Sequence, residues 1–377
     1  MTSRSFLSLA IALVMFPQIA QTVYSPALGD IGLSFAVRPE MAAQILSVYF
    51  LGFALGVVVW GRLCDRVGRR PAMLGGLVLY AAATMLGLCV DTFEALLAVQ
   101  ALAALGAAVG SVVTQTVLRD RYQGAQLGQV FSVIGIALAA SPAIGLFSGA
   151  ALVRFFGYQG ALGGLLMLSL VLLVWCARCL PETLVIRLPP QPLLKTAWRM
   201  LKDPAIWRST FLVAAFNVAL FSYYNLAPFQ FERLGLSSEL FGYSGVVLAL
   251  GSGVGAWLSK RLLGQGFGGS QLSVVAAVVL LVGGVGVQGL LDSSGFVAAM
   301  LLIVLAFGMA IPNVLGAALA GYGDCLGTAG ALFGLFYYLL IGGALLLAAW
   351  SQALGWTLIL CGALAVCLTV RQARRAD

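Results

Sequence analysis

The sequence predicts an all-α membrane protein with twelve transmembrane helices in two similar six-helix halves. Three observations carry this. The 377 residues are 61% hydrophobic and 9% charged, with mean hydropathy +1.03, 46 glycines and no histidine, a composition foreign to soluble globular chains of this size. Apolar stretches of about 20 residues, long enough to cross the hydrocarbon core as helices, recur along almost the whole length. One long, polar, proline-bearing connection, "PETLVIRLPPQPLLKTAWRMLKDPAIWR" at 181–208, separates two sets of six.

In order, the expected spans are 5–26, 41–61, 72–90, 93–117, 128–152, 159–180, 207–229, 240–259, 271–291, 296–319, 326–349 and 353–370. The first begins like a signal peptide, with Arg4 before an apolar run, and is read as a retained helix because eleven spans follow it. It carries Gln18, Gln21, Thr22 and Ser25 at i, i+3, i+4 and i+7, a polar but uncharged stripe on one helix face. The fourth presents Gln100, Ser111, Thr114 and Gln115 along one side, and the seventh Asn217, Tyr224 and Asn225. In the fifth, "SPAIGLFSGA" combines Pro142, which lacks a backbone donor, with Gly145 and Gly149, which permit bending and close helix contact. Pro312 and Asn313 mark a bend or a packing site in the tenth. The halves are 1–180 and 207–377, joined by a linker at 181–206. A faint repeat relates "YSPALGDIGLSFAVRPEMAAQILSVYFLGFALG" to "LAPFQFERLGLSSELFGYSGVVLALGSGVG". Such duplication suits a transporter whose halves rock about a midplane site; a channel does not need it.

Charge fixes the expected orientation. Of the 21 Lys and Arg, only Arg38, Arg154 and Arg233 fall outside if both termini are cytoplasmic, the positive-inside distribution of a multi-pass membrane protein with an even number of spans. The net charge of +8 is thereby explained as topology, with the bilayer and its anionic headgroups as partner and no nucleic acid. Seven scattered cysteines read as small packing residues. Cys176-x-x-Cys179, without histidine or a second pair, is a poor metal site, so neither metal nor cofactor is expected. No nucleotide-binding motif appears, and a membrane enzyme would want buried His, Asp or Glu.

The charged exception is "GRLCDRVGRRP" at 61–71, between spans two and three. Gly61 and Gly68 allow tight backbone, Asp65 can accept from an arginine or a helix N-terminus, and Arg66, Arg69 and Arg70 face the cytoplasm. A positive-inside anchor is the plain alternative. The pattern resembles the loop signature of the major facilitator superfamily, G-x-L-x-D-R-x-G-R-[RK]. "VLRDRYQG" (117–124, with Arg119 and Asp120), "LPETL" (180–184), "SPAIGLFSGA", "FSYYNLAPFQFERLGLSSELFGY" (221–243) and "GTAGALFG" (327–334) resemble its Bcr/CflA drug-resistance branch, across essentially the whole chain. The resemblance implies the major facilitator fold and a monomeric exporter of small molecules working by alternating access, commonly with protons as counter-ion.

Two departures bear on that coupling. Where the branch reads T-D-M-Y-L-P-A in its first helix, this chain reads "QTVYSPA", with Thr22 in the acid's place. Where R-x-L-Q-G-x-G-A is frequent in the fourth, "QALAALGA" has Gln100 in the arginine's place. Losing one member of a charge pair favours losing the other, since a lone arginine at mid-membrane costs about 2.5–3.5 kcal/mol. Every acid then lies in or beside a loop, and Asp30 and Glu232 are the coupling candidates, against a plainer reading as solvated helix-end carboxylates. Gln18, Gln21, Thr22, Tyr24, Gln100, Thr114, Asn217, Tyr224 and Asn225 are the candidate cargo lining, with interhelical packing as an equal rival. Tyr24, Tyr223, Tyr337 and Tyr338 could stack on a planar ligand, although interfacial belts explain aromatics as often. "FPQIAQTVYSPALGDI" resembles the first helix of siderophore exporters, which makes a siderophore the expected cargo. A multidrug:proton antiporter and a transport-silent sensor are the alternatives.

Overall fold

The computed structural model describes residues 3–184 and 193–376. Helix α1 (Ser3–Val23) leads through a 3-10 turn (Ser25–Ala27) into α2 (Leu28–Ser34), and the short α3 (Pro39–Ala42) opens α4 (Gln44–Val67). There follow α5 (Arg69–Gly87), α6 (Phe93–Arg121) and α7 (Gly124–Cys179). After residues 185–192 of the predicted linker, which lie outside the described residues, come α8 (Leu193–Leu201), α9 (Pro204–Arg233), α10 (Ser238–Gly264), α11 (Gly269–Gly289), α12 (Phe296–Ala318), α13 (Leu326–Ser351) and α14 (Leu354–Ala376).

Among the described residues, nine helical stretches are long and apolar enough to cross a membrane, and α14 adds a shorter one. The expected twelve is reached only by adding α5, whose first turn holds Arg69 and Arg70, and by counting α7 twice. Its 56 residues are two helical arms that meet at Gly157, which sits at φ 64°, ψ −167°, and the chain doubles back there. Gly164 lies against the Leu152 side chain, although a straight helix would hold them about 18 Å apart. The predicted loop at 153–158 is therefore a single glycine, which alone adopts this backbone without strain. Elsewhere the helices outrun the prediction: α4 continues to Val67 and α6 to Arg121, because their charged last turns are held in a polar cluster instead of being released to water.

The same packing recurs in both parts of the chain. α6 receives α1, α4 and α5, as α12 receives α9, α10 and α11; α1 packs on α7 as α9 packs on α13; α5 meets α7 as α11 meets α14. The two bundles join through α4 against α13 and α7 against α10. One end of the molecule carries the arginines of α4, α5 and α6 and the helix α8. It is called the basic end, and the opposite one the far end. A contiguous apolar core runs through both bundles, while large apolar side chains such as Leu347, Leu360 and Met167 are exposed on the outside, as lipid contact requires.

Candidate cargo site and gate

The halves meet tightly at the far end. Ser25 donates its hydroxyl to the Tyr224 carbonyl, joining α1 to α9, and Arg154 pairs with Glu239 across α7 and α10. Gly242 and Gly245 let α10 ride on Leu146 and Ala150, and Gly342 brings α13 against Ser47 and Leu51 of α4. Just inside this seal, aromatic rings from both halves fill the midplane. Phe50 on α4 meets Phe221 on α9 at 4.7 Å, Phe53 meets Tyr338 on α13 at 4.9 Å, and Tyr337 and Tyr338 lie 4.3 Å apart.

Toward the basic end the halves part. A vestibule of about 450 Å³ opens between Arg119 on α6 and Leu315, Leu319 and Gly330 of the other half. Near the start of α7, Ile136 is 72% exposed. Deeper, a cavity of about 30 Å³ is lined by Gln18, Leu138, Pro142, Tyr224, Ser252 and Phe307, room for about one water. The molecule is thus sealed at one end, open at the other, and nearly closed at the midplane.

The polar residues of the predicted lining divide into three groups. Gln21 on α1 and Asn225 on α9 are buried, and the Gln21 Nε2 and both amide atoms of Asn225 have no hydrogen-bond partner; the hydroxyls of Thr114, Ser47 and Ser222 share that condition. A second group is spent on local bonds. The Thr22 hydroxyl donates to the Gln18 carbonyl (2.8 Å) while packing against Gly145; Asn217 donates to the Val213 carbonyl (2.8 Å); Gln115 donates to Ser111. A third is buried inside one half or the other: Gln100 on α6, Tyr24 beside α1, and Tyr223, whose hydroxyl bonds Ser244 (2.6 Å) away from the midplane. Gly145 and Gly149 press α7 onto Thr22, Val23 and Pro26 of the first helix, so the fifth-span signature works here as a helix contact, and Pro142 faces the small cavity. In the tenth span Asn313 bridges to Ser259 of α10 (2.9 Å).

The coupling candidates lie at the far end. The Asp30 carboxylate accepts from the Tyr158 N–H and caps the second arm of α7 at the Gly157 reversal. Glu232 is exposed, with its carboxylate near Gly29 of the other half.

At the basic end, the Asp65–Arg70 signature forms a closed network. Arg69 is nearly buried; its Nη1 donates to Asp65 (2.8 Å) and to the Cys64 carbonyl, and its Nε donates to Asp120 (3.0 Å). Desolvation works against its charge, but Asp120 and the other acidic neighbours more than offset this and raise its pKa. Gly68, at φ 110°, ends α4 and starts α5, and Glu182 from the end of α7 sits where any side chain at 68 would be. Glu182 accepts from the backbone N–H groups of Arg69 (2.9 Å), Arg70 (3.1 Å) and Leu184 (2.9 Å), so a carboxylate caps the positive end of α5. Partial burial raises its pKa, but these backbone bonds outweigh it and hold the carboxyl below the usual 4.5. Arg66 is exposed, and Gly61 faces Ala331 of the opposite half.

The Major Facilitator Superfamily model matches residues 7–346. The chain belongs to that superfamily. It is 30% identical to an uncharacterized transporter of Rickettsia bellii over 86% of this chain and 84% of that one. It is 28% identical to the chloramphenicol resistance protein of Pseudomonas aeruginosa over 88% and 79%. In fold it is similar to the xylose transporter XylE from E. coli in a partially occluded inward-open conformation, with TM-score 0.74, 13% identity and coverage of 98% and 97%. It is therefore a multi-pass membrane protein and a secondary transporter of the superfamily, with relatives named for drug resistance. Within a superfamily fold, the residues that sequence reasoning missed are Phe50, Phe53 and Phe221, whose facing depends on how the halves dock, and Glu182, whose partners lie 113 and 112 positions away.

Proposed function

We propose that this transporter exports small organic molecules from the bacterial cytoplasm across the inner membrane by alternating access, and that the conformation described is the inward-open one. The positive-inside distribution assigns the basic end to the cytoplasm, so the vestibule is the entry and the far-end seal the exit. The observation that carries the cargo class is the midplane itself: aromatic rings from both halves, with the unpartnered Asn225 amide one helical turn from Phe221 on α9 and the unpartnered Gln21 Nε2 on α1, none of them charged. Stacking surfaces and uncharged donors and acceptors suit a compact, neutral, partly planar molecule better than a cation. The name of the Pseudomonas relative supports an antibacterial of this kind. A siderophore is the second reading, favoured by the same amides, which can bond hydroxamate or citrate oxygens.

Any proton coupling would use Asp30 or Glu232 at the exit, with the chain acting as a monomer. The test is expression in a host stripped of its own exporters, with a susceptibility panel of neutral and cationic antibacterials and an assay of chelators in the medium. Resistance to neutral compounds that Asn225→Ala abolishes supports the first reading, and loss of a secreted chelator in a deletion strain supports the second. No phenotype in either assay would remove both.

A further inference from the structure

Helix α8 has three faces. Thr196 and Met200 are buried against the bundle, where the helix packs on α13 and α9. Lys195, Arg199 and Lys202 lie together on a second side, and the stretch from Leu193 to Lys202 contains no acid. Between them, Leu194, Trp198 and Leu201, at i, i+4 and i+7, form an apolar stripe that is 84%, 62% and 43% exposed. The neighbouring helix sets its depth, since only Lys202 and Asp203 separate the stripe from α9, which crosses the membrane from Pro204. The Trp207 indole of α9 donates to the Leu201 carbonyl (2.9 Å), and Arg199 donates to the Gly321 carbonyl (2.7 Å) and lies over the Tyr322 ring, so both sides of α8 are fastened to the transporter. Lys202 lies over Trp198 at 4.6 Å, joining the cationic face to the apolar one.

We propose that α8 lies in the basic-end leaflet of the membrane, with Leu194, Trp198 and Leu201 in the acyl boundary and Lys195 and Lys202 against anionic lipid headgroups. The stripe is too exposed for a core and sits at the level where apolar side chains meet lipid. Its flanking charges all have one sign, the complement of an anionic surface. Asp203, the acid next in sequence, is engaged elsewhere, accepting from Ala205 N–H and from the Tyr322 hydroxyl.

The test uses the full chain freed of its native cysteines, with a nitroxide at Leu194→Cys, in phosphatidylcholine vesicles with and without phosphatidylglycerol. Collisions with oxygen and with a water-soluble nickel chelate are read by power saturation. The expected result is an oxygen-dominated label in the anionic vesicles, with the docked-to-undocked ratio falling about thirtyfold in K195Q/K202Q, which removes two surface charges. Trp198→Glu, far from the α8 contacts to α9 and α13, should expose the label to nickel without changing the size-exclusion profile. A nickel-accessible label in both lipids would overturn the proposal. So would spin–spin broadening with shielding from both reagents, since that would mean a second copy covers the stripe.

Discussion

Asn225 is fully buried with neither amide atom hydrogen-bonded, in a conformation that is sealed on its own side of the midplane. A buried unsatisfied polar group costs about 1–3 kcal/mol. Asn225→Leu is therefore expected to stabilise the purified protein by about that amount, read as a higher thermal midpoint in detergent, while transport into vesicles falls. A loss of both stability and transport would mean that Asn225 is paired in the conformation the protein prefers. Glu182 gives the opposite case. Its lowered pKa means the unfolded carboxyl binds protons more readily than the folded one, so its stabilisation is complete above the ordinary value and is lost as pH falls through the lower folded value. The expectation is that wild type and Glu182→Gln differ in thermal midpoint at pH 7, and that the gap closes only as pH falls beneath the ordinary carboxylate range. Gln21, Thr22 and Asn225 were equally visible in the sequence, but the Thr22 hydroxyl bonds its own helix while the Gln21 Nε2 and the Asn225 amide have no partner, a difference that residue type and spacing do not encode.

Between helices, Gly145 is the contact on which α1 and α7 depend. A Cβ there would run into the Thr22 side chain, and overpacking of this kind costs about 1–3 kcal/mol. Gly145→Ala should lower the thermal midpoint, and adding Thr22→Ala should return part of the loss, since the clashing hydroxyl is then gone. Strict additivity would show that the two side chains do not meet. Most of these helices could be read directly from hydropathy, because each must satisfy its own backbone in lipid. What could not be read was how they begin and end. The Gly157 reversal left no polar loop to mark it, and α8, a short helix within a charged linker, has an apolar stripe too narrow to register in a membrane-length window. The Asp65–Arg70 signature was legible as a motif, but its cap was not, since Glu182 follows α7 more than 110 positions along the chain.

For the molecule as a whole, alternating access requires the far-end contacts to break while the basic end closes. Arg154 and Glu239 are surface partners from opposite halves, and an exposed pair of this kind holds by less than about 1 kcal/mol. Neutralising it should leave folding intact. Cysteines at both positions, on a chain otherwise free of them, should instead be joined by a short bis-methanethiosulfonate, which forms a disulfide to each thiol with loss of methanesulfinate, and transport should stop on cross-linking and return when those disulfides are reduced. Continued transport by the cross-linked chain would mean that these surfaces never separate. The polar connection at 181–206 led to the expectation of two halves, but it held no sign of how the bundles dock, because α4 against α13 and α7 against α10 are glycine and aromatic contacts with no local signature.

The single-residue reversal at Gly157 also decides where foreign sequence can be spliced into the far side. Asp292, Ser293 and Ser294 form an exposed turn between α11 and α12 that can accept an inserted epitope without parting a contact between helices. At Gly157 the same epitope would have to part Asp30 from Tyr158, so an insertion there is expected to cost the cap on the second arm of α7, whereas one at the α11–α12 turn is not.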